Sequence, residues 1–253
     1  MIRRVVQLAD AQGYPRDNLI VFHADLGKVE WRGVRELAEE QAQYYGLEFR
    51  VEQYRTKAGK HETLLDYVRR RGKWPSNTTR FCTSDFKRGP GSRVLTQLHR
   101  DCLKPETRML NVFGFRAEES PARKKKQPFV LNTVRSTKPR SDNSRKREVY
   151  DWLPIHDMTE EQVWADIRES GVRYHEAYDF GMPRLSCCFC IFAPKPALMI
   201  AGEKNPELLE EYVKLEAEIG HDFKNGEPIA DIKKALEAGE RATPAALDGA
   251  WNM

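Results

Sequence analysis

The alternation of short apolar runs with amphipathic segments of helical length is the feature that most constrains this chain. The run at 19–22 is continuously apolar and leads into Ala24-Asp25, as expected for a strand that is buried on both faces. Such alternation predicts an α/β fold in which helices cover both faces of a parallel sheet. The predicted strands are 19–22, 47–51, 109–115 and 150–155, and the predicted helices include 2–9, 34–45, 61–71 and 92–101.

Turn and cap residues set the predicted boundaries between these elements. Thr159 with Gln162 three residues later forms the pattern of a capping box and predicts a helix start. The segment 89–91, Gly-Pro-Gly, predicts a turn ahead of the helix at 92–101. Residues 121–147 contain prolines and several serines and are expected to form a long loop. From about 198 to 238 the pattern is helical and charged, which predicts a C-terminal helical extension over 198–253.

Two polar residues follow predicted strands directly. In parallel sheets, ligands bind beyond the carboxyl ends of the strands. Asp25 and Arg116 both fall at such ends and are therefore candidate binding residues, although Asp25 could equally be an ordinary turn residue.

Composition excludes several classes of protein. Hydrophobic residues make up 40% and charged residues 32% of the 253 residues, a balance typical of a globular protein rather than a disordered one. No apolar run approaches the roughly 18 residues that a membrane-spanning helix needs, so we expect no membrane association. The first four residues, MIRR, are not followed by the apolar core of a signal peptide. We therefore expect a cytoplasmic protein whose five cysteines are thiols or metal ligands rather than disulfides.

Positive charge is concentrated in one part of the chain, residues 121–147, which we call the basic segment. It holds ten lysines or arginines and one acid, whereas the whole chain has a net charge of only +4. This distribution indicates a polyanionic partner such as a nucleotide or a nucleic acid. A solvated loop without a partner is the alternative interpretation.

The cysteines provide the clearest indication of chemistry. Cys187 and Cys190 form a C-x-x-C pair that has Cys188 inside it, and three thiols within four residues are difficult to explain as core packing. A C-x-x-C pair supplies two metal ligands from one turn, and iron–sulfur clusters often take a further cysteine from a remote segment. Cys82 is the candidate remote ligand, because nearby basic residues, including Lys87, are expected to lower its pKa. Residue types alone leave both an iron–sulfur cluster and zinc open.

A second candidate site lies in residues 114–123, GFRAEESPAR, which we call the arginine motif. A glycine after an apolar strand allows close backbone approach of a ligand, and arginine matches phosphate or sulfate oxygens with its planar fork. Glu119 is placed to hold Arg123, although a surface ion-pair cluster would have the same pattern. Arg184, close before the cysteine pair, could bind an anion or offset thiolate charge.

Four segments of the chain, taken in the order in which they occur, resemble the phosphoadenosine phosphosulfate reductase family. This family includes adenylylsulfate reductases and the sulfurtransferase of DNA phosphorothioate modification. The resemblance covers residues 1–197 and leaves 198–253 as the extension. The strand VFHAD ending at Asp25 is also similar to a family strand that ends in an aspartate near the nucleotide. The matching segments are RFCT with Lys87 at 80–87, the arginine motif, the stretch from Trp152 to Trp164, and the stretch from Tyr178 through Arg184 to Cys190.

This resemblance implies an adenine nucleotide alpha hydrolase-like fold, Rossmann-like, with a sheet of about five parallel strands. It implies that an adenylyl nucleotide is the substrate and that a cysteine-bound cluster, [4Fe-4S] with zinc as the alternative, is the cofactor. The implied metal ligands are Cys82, Cys187 and Cys190, with Cys188 as a candidate fourth. The implied nucleotide-binding residues are Asp25, Lys87, Arg116, Glu119, Ser120, Arg123 and Arg184.

Two departures from the family pattern bear on function. The family begins with a strand and a Ser-Gly-Gly-x-Asp-Ser phosphate loop, whereas Met1 here falls in the segment similar to the first helix. Either the sequence starts at an internal methionine or ordinary nucleotide activation has been lost. The soluble reductases also use a nucleophilic cysteine near the C-terminus, and no cysteine follows Cys190 here, so we assign no catalytic residue.

Three functions follow as hypotheses. The first is a sulfonucleotide reductase, in which a thiol attacks the sulfur of an adenylyl sulfate. The second is an adenylating sulfurtransferase that acts on nucleic acid through the basic segment. The third is a catalytically inactive nucleotide-binding or partner protein. The first two also imply a protein that donates electrons or sulfur.

Overall fold

A computed structural model of the protein describes residues 1–137 and 145–242, and it confirms the predicted α/β class. The strands of the described residues are β1 (Ile20–Ala24), β2 (Glu48–Glu52), β3 (Glu106–Val112), β4 (Phe129–Leu131) and β5 (Lys146–Trp152). The helices are α1 (Ile2–Ala11), α2 (Val34–Tyr44), α3 (Leu64–Arg71), α4 (Phe81–Thr83), α5 (Gly89–Asp101), α6 (Pro121–Lys124), α7 (Glu160–Ser170), α8 (Lys195–Lys204), α9 (Pro206–Ile219) and α10 (Ile229–Glu237).

The arrangement of the strands differs from the single parallel sheet that we predicted. Strands β1 and β2 form one sheet, and β3, β5 and β4 form a second sheet in that order. In the second sheet β3 is parallel to β5, with Val112 opposite Trp152, but β4 is antiparallel to β5, with Phe129 also opposite Trp152. The prediction of all-parallel strands was wrong for β4. Antiparallel neighbours need only a loop between them, whereas parallel neighbours need a longer crossover connection.

The basic segment contains regular structure that we did not predict. Helix α6 and strand β4 both lie within it, so the prediction of one long loop was wrong. Ser120 starts α6 as an N-cap whose hydroxyl accepts a hydrogen bond from the Arg123 N–H (3.2 Å), and Pro121 is the first helical residue. Residues 138–144 of this segment lie outside the described residues.

The predicted turn at 89–91 is also wrong, because helix α5 begins at Gly89. It continues from α4 through a π-helical turn, Ser84–Arg88. Pro90 lacks an N–H, and its ring would collide with a carbonyl of a regular helical turn before it. A π-turn widens the helix at that point and so accommodates the proline without ending the helix.

Local caps elsewhere behave as predicted. The Thr159 hydroxyl accepts from the Gln162 N–H (3.2 Å), and the Gln162 side-chain oxygen accepts from the Thr159 N–H (2.9 Å), which confirms the capping box at the start of α7. Gly171 ends that helix in the left-handed conformation, with φ of 70°.

The chain folds into two compact units. Counting only the described residues within each range, the first unit draws on Met1–Phe22, Glu39–Arg50 and Gly91–Arg173, and the second draws on His23–Ala38, Val51–Pro90 and Tyr174–Met253. The core of the second unit is large and includes Trp74, Phe86 and Tyr212, which are at most 4% exposed. A small core in the first unit joins Val6, Ala42 and Leu47.

The C-terminal helices α8, α9 and α10 belong to the second unit. The domain boundary that we predicted between 197 and 198 falls within α8 and stays a prediction. Among the described residues, none of the helices has the length and apolar character needed to span a membrane.

Candidate active site

The predicted site residues divide between the two units, and each group is described by itself. The second unit contains the cysteine ligands, Asp25, Lys87 and Arg184, whereas the first unit contains the arginine motif. All five cysteines are free thiols, as expected.

In the second unit, backbone hydrogen bonds fix the cysteine loop in place. The Cys188 N–H donates to the Val29 carbonyl (2.9 Å), and Glu30 forms an antiparallel bridge with Cys187. The Ala193 N–H donates to the Cys190 carbonyl (2.9 Å), which closes a turn after the C-x-x-C pair. The loop is therefore held against the short 3-10 turn Gly27–Val29 that follows β1.

Three thiols and one lysine form what we call the thiol centre: Cys82, Cys187, Cys190 and Lys87. The negative charge that Cys187 can carry is the largest influence on Lys87, and with smaller contributions from Glu30, Cys190 and Cys82 it raises the pKa of the Lys87 ammonium. The lysine in turn lowers the pKa of each of these thiols. The thiol of Cys82 in α4 and the two thiols of the cysteine loop thus act on one cation, Lys87 of the π-turn, whose side chain is exposed.

Burial decides the net direction of the pKa shift of the three thiols. It raises the pKa of Cys82, Cys187 and Cys190, and the attraction of Lys87 only partly opposes it. The predicted net lowering of the pKa of Cys82 was therefore wrong, although Lys87 acts in the predicted direction. The guanidinium of Arg80, two residues before Cys82, lies 4.5 Å from the centre of the Phe192 ring.

Cys188 differs from the other thiols of the loop. It is completely buried in the core of the second unit, and this burial, followed by the charge of Cys187, raises the pKa of its thiol to about 12. Its assignment as a fourth metal ligand stays a prediction. The buried Tyr212 of α9 stacks on Trp74 (ring centres 5.1 Å apart) and is close enough to all four thiols for their charges to add to the effect of burial, which raises the pKa of its hydroxyl.

Asp25 lies at the end of β1 in a partly buried polar cluster. Its carboxylate accepts from the Gly27 N–H (2.7 Å) and from the Gln53 amide (3.0 Å), and Arg35 lies 3.5 Å away. The potential ligand atoms of His23, Asp25 and Glu30 all lie within 4.8 Å of one another. Glu30 links this cluster to the thiol centre, because its charge acts on both Lys87 and Cys187.

Arg184 is half-buried and precedes the cysteine pair in the chain. Its charge is one of the influences that lower the pKa of Cys190 against the effect of burial. This position agrees with the expectation that it could offset thiolate charge, and a role in binding an anion stays a prediction.

In the first unit, the arginine motif follows β3 as a compact loop. Arg116 is held by Glu118 and lies 3.5 Å from Glu160, and Arg123 is held by Glu119, as we predicted. The Glu119 carboxylate also accepts from the Arg116 N–H (2.9 Å), so this one acid contacts both arginines of the motif. The two guanidinium side chains are only 13% and 17% exposed.

Aromatic rings line the same loop. The Arg123 guanidinium lies 4.6 Å from the centre of the Phe115 ring, and that ring stacks on Phe113 with the ring centres 5.2 Å apart. A carboxylate on one side and a ring on the other restrict the orientation of this arginine. The loop therefore presents two preorganised forks at the carboxyl end of a parallel strand, a place where anions bind in such folds.

Two further residues lie at these sites and were not predicted from the sequence. Glu30 lies between Asp25 and the thiol centre, and its only signal was its proximity in sequence to Asp25. His156 contacts the arginine motif from 33 positions away, and nothing in the pattern of the sequence marked it. His175 also lies in the second unit, where its Nδ1 accepts from the Ala177 N–H (3.0 Å) and its Nε2 donates to the Arg32 carbonyl (3.0 Å).

Comparison with known proteins gives three results. An uncharacterized 37.8 kDa protein in the gpa 5' region of Escherichia phage 186 is 28% identical over 144 residues, which is 57% of this chain and 39% of that protein. The chain thus matches less than half the length of that relative. The crystal structure of phosphoadenylyl-sulfate (PAPS) reductase from Candida auris, a phosphate complex, is similar with a TM-score of 0.42 and 18% identity, over 73% of this chain and 87% of that one.

The third result is a match to a family model. The model of the phosphoadenosine phosphosulfate reductase domain matches residues 5–193, about three quarters of the sequence, and this range includes the thiol centre and the arginine motif. The chain therefore belongs to the phosphoadenosine phosphosulfate reductase domain family.

Proposed function

We propose that the protein is an enzyme of sulfonucleotide chemistry that binds an adenylyl sulfate through the arginine motif. The observation that carries this proposal is the pair of mostly buried guanidinium groups, each already oriented by a carboxylate, after strand β3. Such forks form paired, charge-assisted hydrogen bonds with phosphate or sulfate oxygens. Membership of the family supports the same class of substrate.

The reaction of the reductase hypothesis is a transfer of the sulfuryl group to a thiol. A thiolate forms a bond to the sulfur, the bond from that sulfur to the bridging oxygen breaks, and the adenine nucleotide leaves with the electron pair. Reduction by a second thiol then releases sulfite and forms a disulfide, which a donor protein must reduce. In this step the arginine motif would stabilise the negative charge on the leaving phosphate.

An iron–sulfur cluster is the proposed cofactor, and the thiol centre fits it better than it fits one zinc ion. A tetrahedral zinc site with a zinc–sulfur distance of 2.3 Å keeps its sulfur atoms roughly 3.8 Å apart. No three of the five thiols, all of which the structure describes, have their sulfur atoms within 4.8 Å of one another. A cluster is larger than a single ion, and its cysteine ligands are bound to different iron atoms.

In this proposal Cys82, Cys187 and Cys190 would hold the cluster, with Cys188 as the candidate fourth ligand. When bound, such a cluster supplies a site that can store an electron and carries negative charge. The exposed Lys87 would offset part of that charge.

The test of the proposed substrate is titration calorimetry with adenosine 5′-phosphosulfate. Charge-assisted hydrogen bonds of this kind contribute on the order of 1.5–3 kcal/mol, so we expect Arg116→Ala and Arg123→Ala each to weaken binding about 10- to 150-fold. Arg108→Ala is the matched control, because Arg108 is an exposed arginine on β3 that pairs only with Glu106 and Glu148 among the described residues. Equal affinity in all three variants would exclude the arginine motif as the binding site.

A second candidate, a sulfurtransferase that acts on nucleic acid, is favoured by the exposed part of the basic segment. Lys124, Lys125 and Lys126 are exposed, and within the described residues they form no ion pair with a carboxylate. At the other end of the segment, by contrast, Lys146 pairs with Glu148 (2.7 Å) and Arg147 donates to the Thr96 hydroxyl (3.1 Å). Three neighbouring exposed cations are more than a small nucleotide requires.

A further inference from the structure

His156 contacts the arginine motif at two places, Ala117 and Arg123. Its backbone carbonyl accepts a hydrogen bond from the Ala117 N–H (2.7 Å), next to Arg116. Its imidazole Nε2 lies 3.0 Å from the carbonyl oxygen of Arg123. Only 7% of this histidine is exposed, so both contacts lie inside the first unit.

The chemistry of these contacts fixes which ring nitrogen is the donor. A carbonyl oxygen can only accept, so Nε2 carries a proton and donates to Arg123. Nδ1 lies 3.1 Å from the exposed carboxylate of Asp157, which is a second acceptor beside the ring.

The accepting carbonyl belongs to a helix that needs such a donor. Helix α6 has only four residues, Pro121–Lys124, and its last carbonyl groups have no partners within a regular helix. The Arg123 carbonyl accepts from the Lys126 N–H (3.0 Å) and from His156. Loss of the imidazole donor would leave a shielded carbonyl with one partner fewer and free the short helix to fray.

We infer that His156 is a positioning residue for the anion site: its imidazole holds the backbone of Arg123, so that this guanidinium meets the sulfate or phosphate at the correct angle. The inference rests on the proposed function, since it assumes that the arginine motif binds the nucleotide. His156 itself is not expected to touch the substrate.

The experiment compares two amides at position 156. In glutamine the side-chain nitrogen is four bonds from Cα, like Nε2 of histidine, and can donate to the Arg123 carbonyl. In asparagine it is three bonds from Cα, like Nδ1, and cannot reach that carbonyl. The two variants are alike in polarity and differ in whether the donor reaches Arg123.

Affinity for adenosine 5′-phosphosulfate is measured by calorimetry for wild type, His156→Gln, His156→Asn and Arg123→Ala. We expect His156→Gln to bind within about twofold of wild type and His156→Asn to bind about tenfold more weakly, a difference of about 1.4 kcal/mol. In the double variant with Arg123→Ala, His156→Asn should have almost no further effect, because both changes remove the same interaction. A purely structural role would instead weaken binding in both backgrounds.

The outcomes separate this inference from the proposed function. If Arg123→Ala weakens binding while His156→Asn and His156→Gln bind equally well, the positioning role is wrong and the anion site stands. If the effects of His156→Asn and Arg123→Ala on the binding free energy are additive, the positioning role is also wrong. If Arg123→Ala leaves the affinity unchanged, the proposed site itself is wrong.

Discussion

Replacement of Glu216 by glutamine is expected to destabilise the second unit strongly. This carboxylate of α9 is only 7% exposed and accepts hydrogen bonds from three backbone N–H groups. One oxygen accepts from Phe223 (2.7 Å) and Ile229 (2.8 Å), and the other accepts from Ala230 (3.1 Å). A single side chain therefore joins α9 to the following turn and to the start of α10.

The magnitude follows from these three bonds. Glutamine can keep its oxygen where two N–H groups converge, but both bonds lose their charge assistance, at a cost of about 1 kcal/mol each. Its NH2 group then faces the N–H of Ala230, and a donor left without an acceptor costs about 1–3 kcal/mol. The neutral amide avoids part of the cost of burying a charge, which offsets roughly 1 kcal/mol. The net loss in the free energy of unfolding is about 2–4 kcal/mol.

Urea and thermal unfolding, followed by tryptophan fluorescence, measure this loss. Trp74 reports on the region because it stacks on Tyr212 of the same helix. For a chain of this size, the expected loss lowers the midpoint of thermal unfolding by about 4–16 °C. Glu218→Gln is the matched control, since Glu218 is on the same helix but is exposed and pairs with Arg69 (3.0 Å), an interaction that stabilises by roughly 0–1 kcal/mol. Equal destabilisation by the two substitutions would refute the reasoning.

Two further predictions concern the cofactor and the partner. Anaerobically purified protein should contain iron and acid-labile sulfide. Cys82→Ser should lower the iron content, whereas the control Cys102→Ser, in the first unit, should leave it unchanged. Elemental analysis that finds zinc and no iron would exclude the cluster. Anisotropy titration of duplex DNA at about 50 mM salt should show weak binding. The affinity should fall when residues 124–126 become alanine. It should fall less when residues 145–147 become alanine, because the side chains of 145–147 already have partners in the protein. Binding that is absent, or indifferent to both sets of substitutions, would remove the nucleic-acid hypothesis.

The sequence by itself determined the α/β class, the approximate positions of four of the strands, and most of the helices. These features depend on contacts within a few residues or on periodicity, as the capping box of Thr159 and Gln162 illustrates. The i,i+4 pairing of Glu119 with Arg123 was predictable for the same reason, since both residues lie on adjacent turns of one short segment.

Only the tertiary structure decided how distant segments meet. Three-residue strand β4 has too little sequence for a periodic signal, and its antiparallel direction depends on its pairing with β5. The pKa of Cys82 is set more by burial than by the lysine near it in sequence, Lys87, and burial depends on the whole fold. The approach of His156 to Arg123 depends on the path of the chain through β4 and β5, and no local rule encodes it.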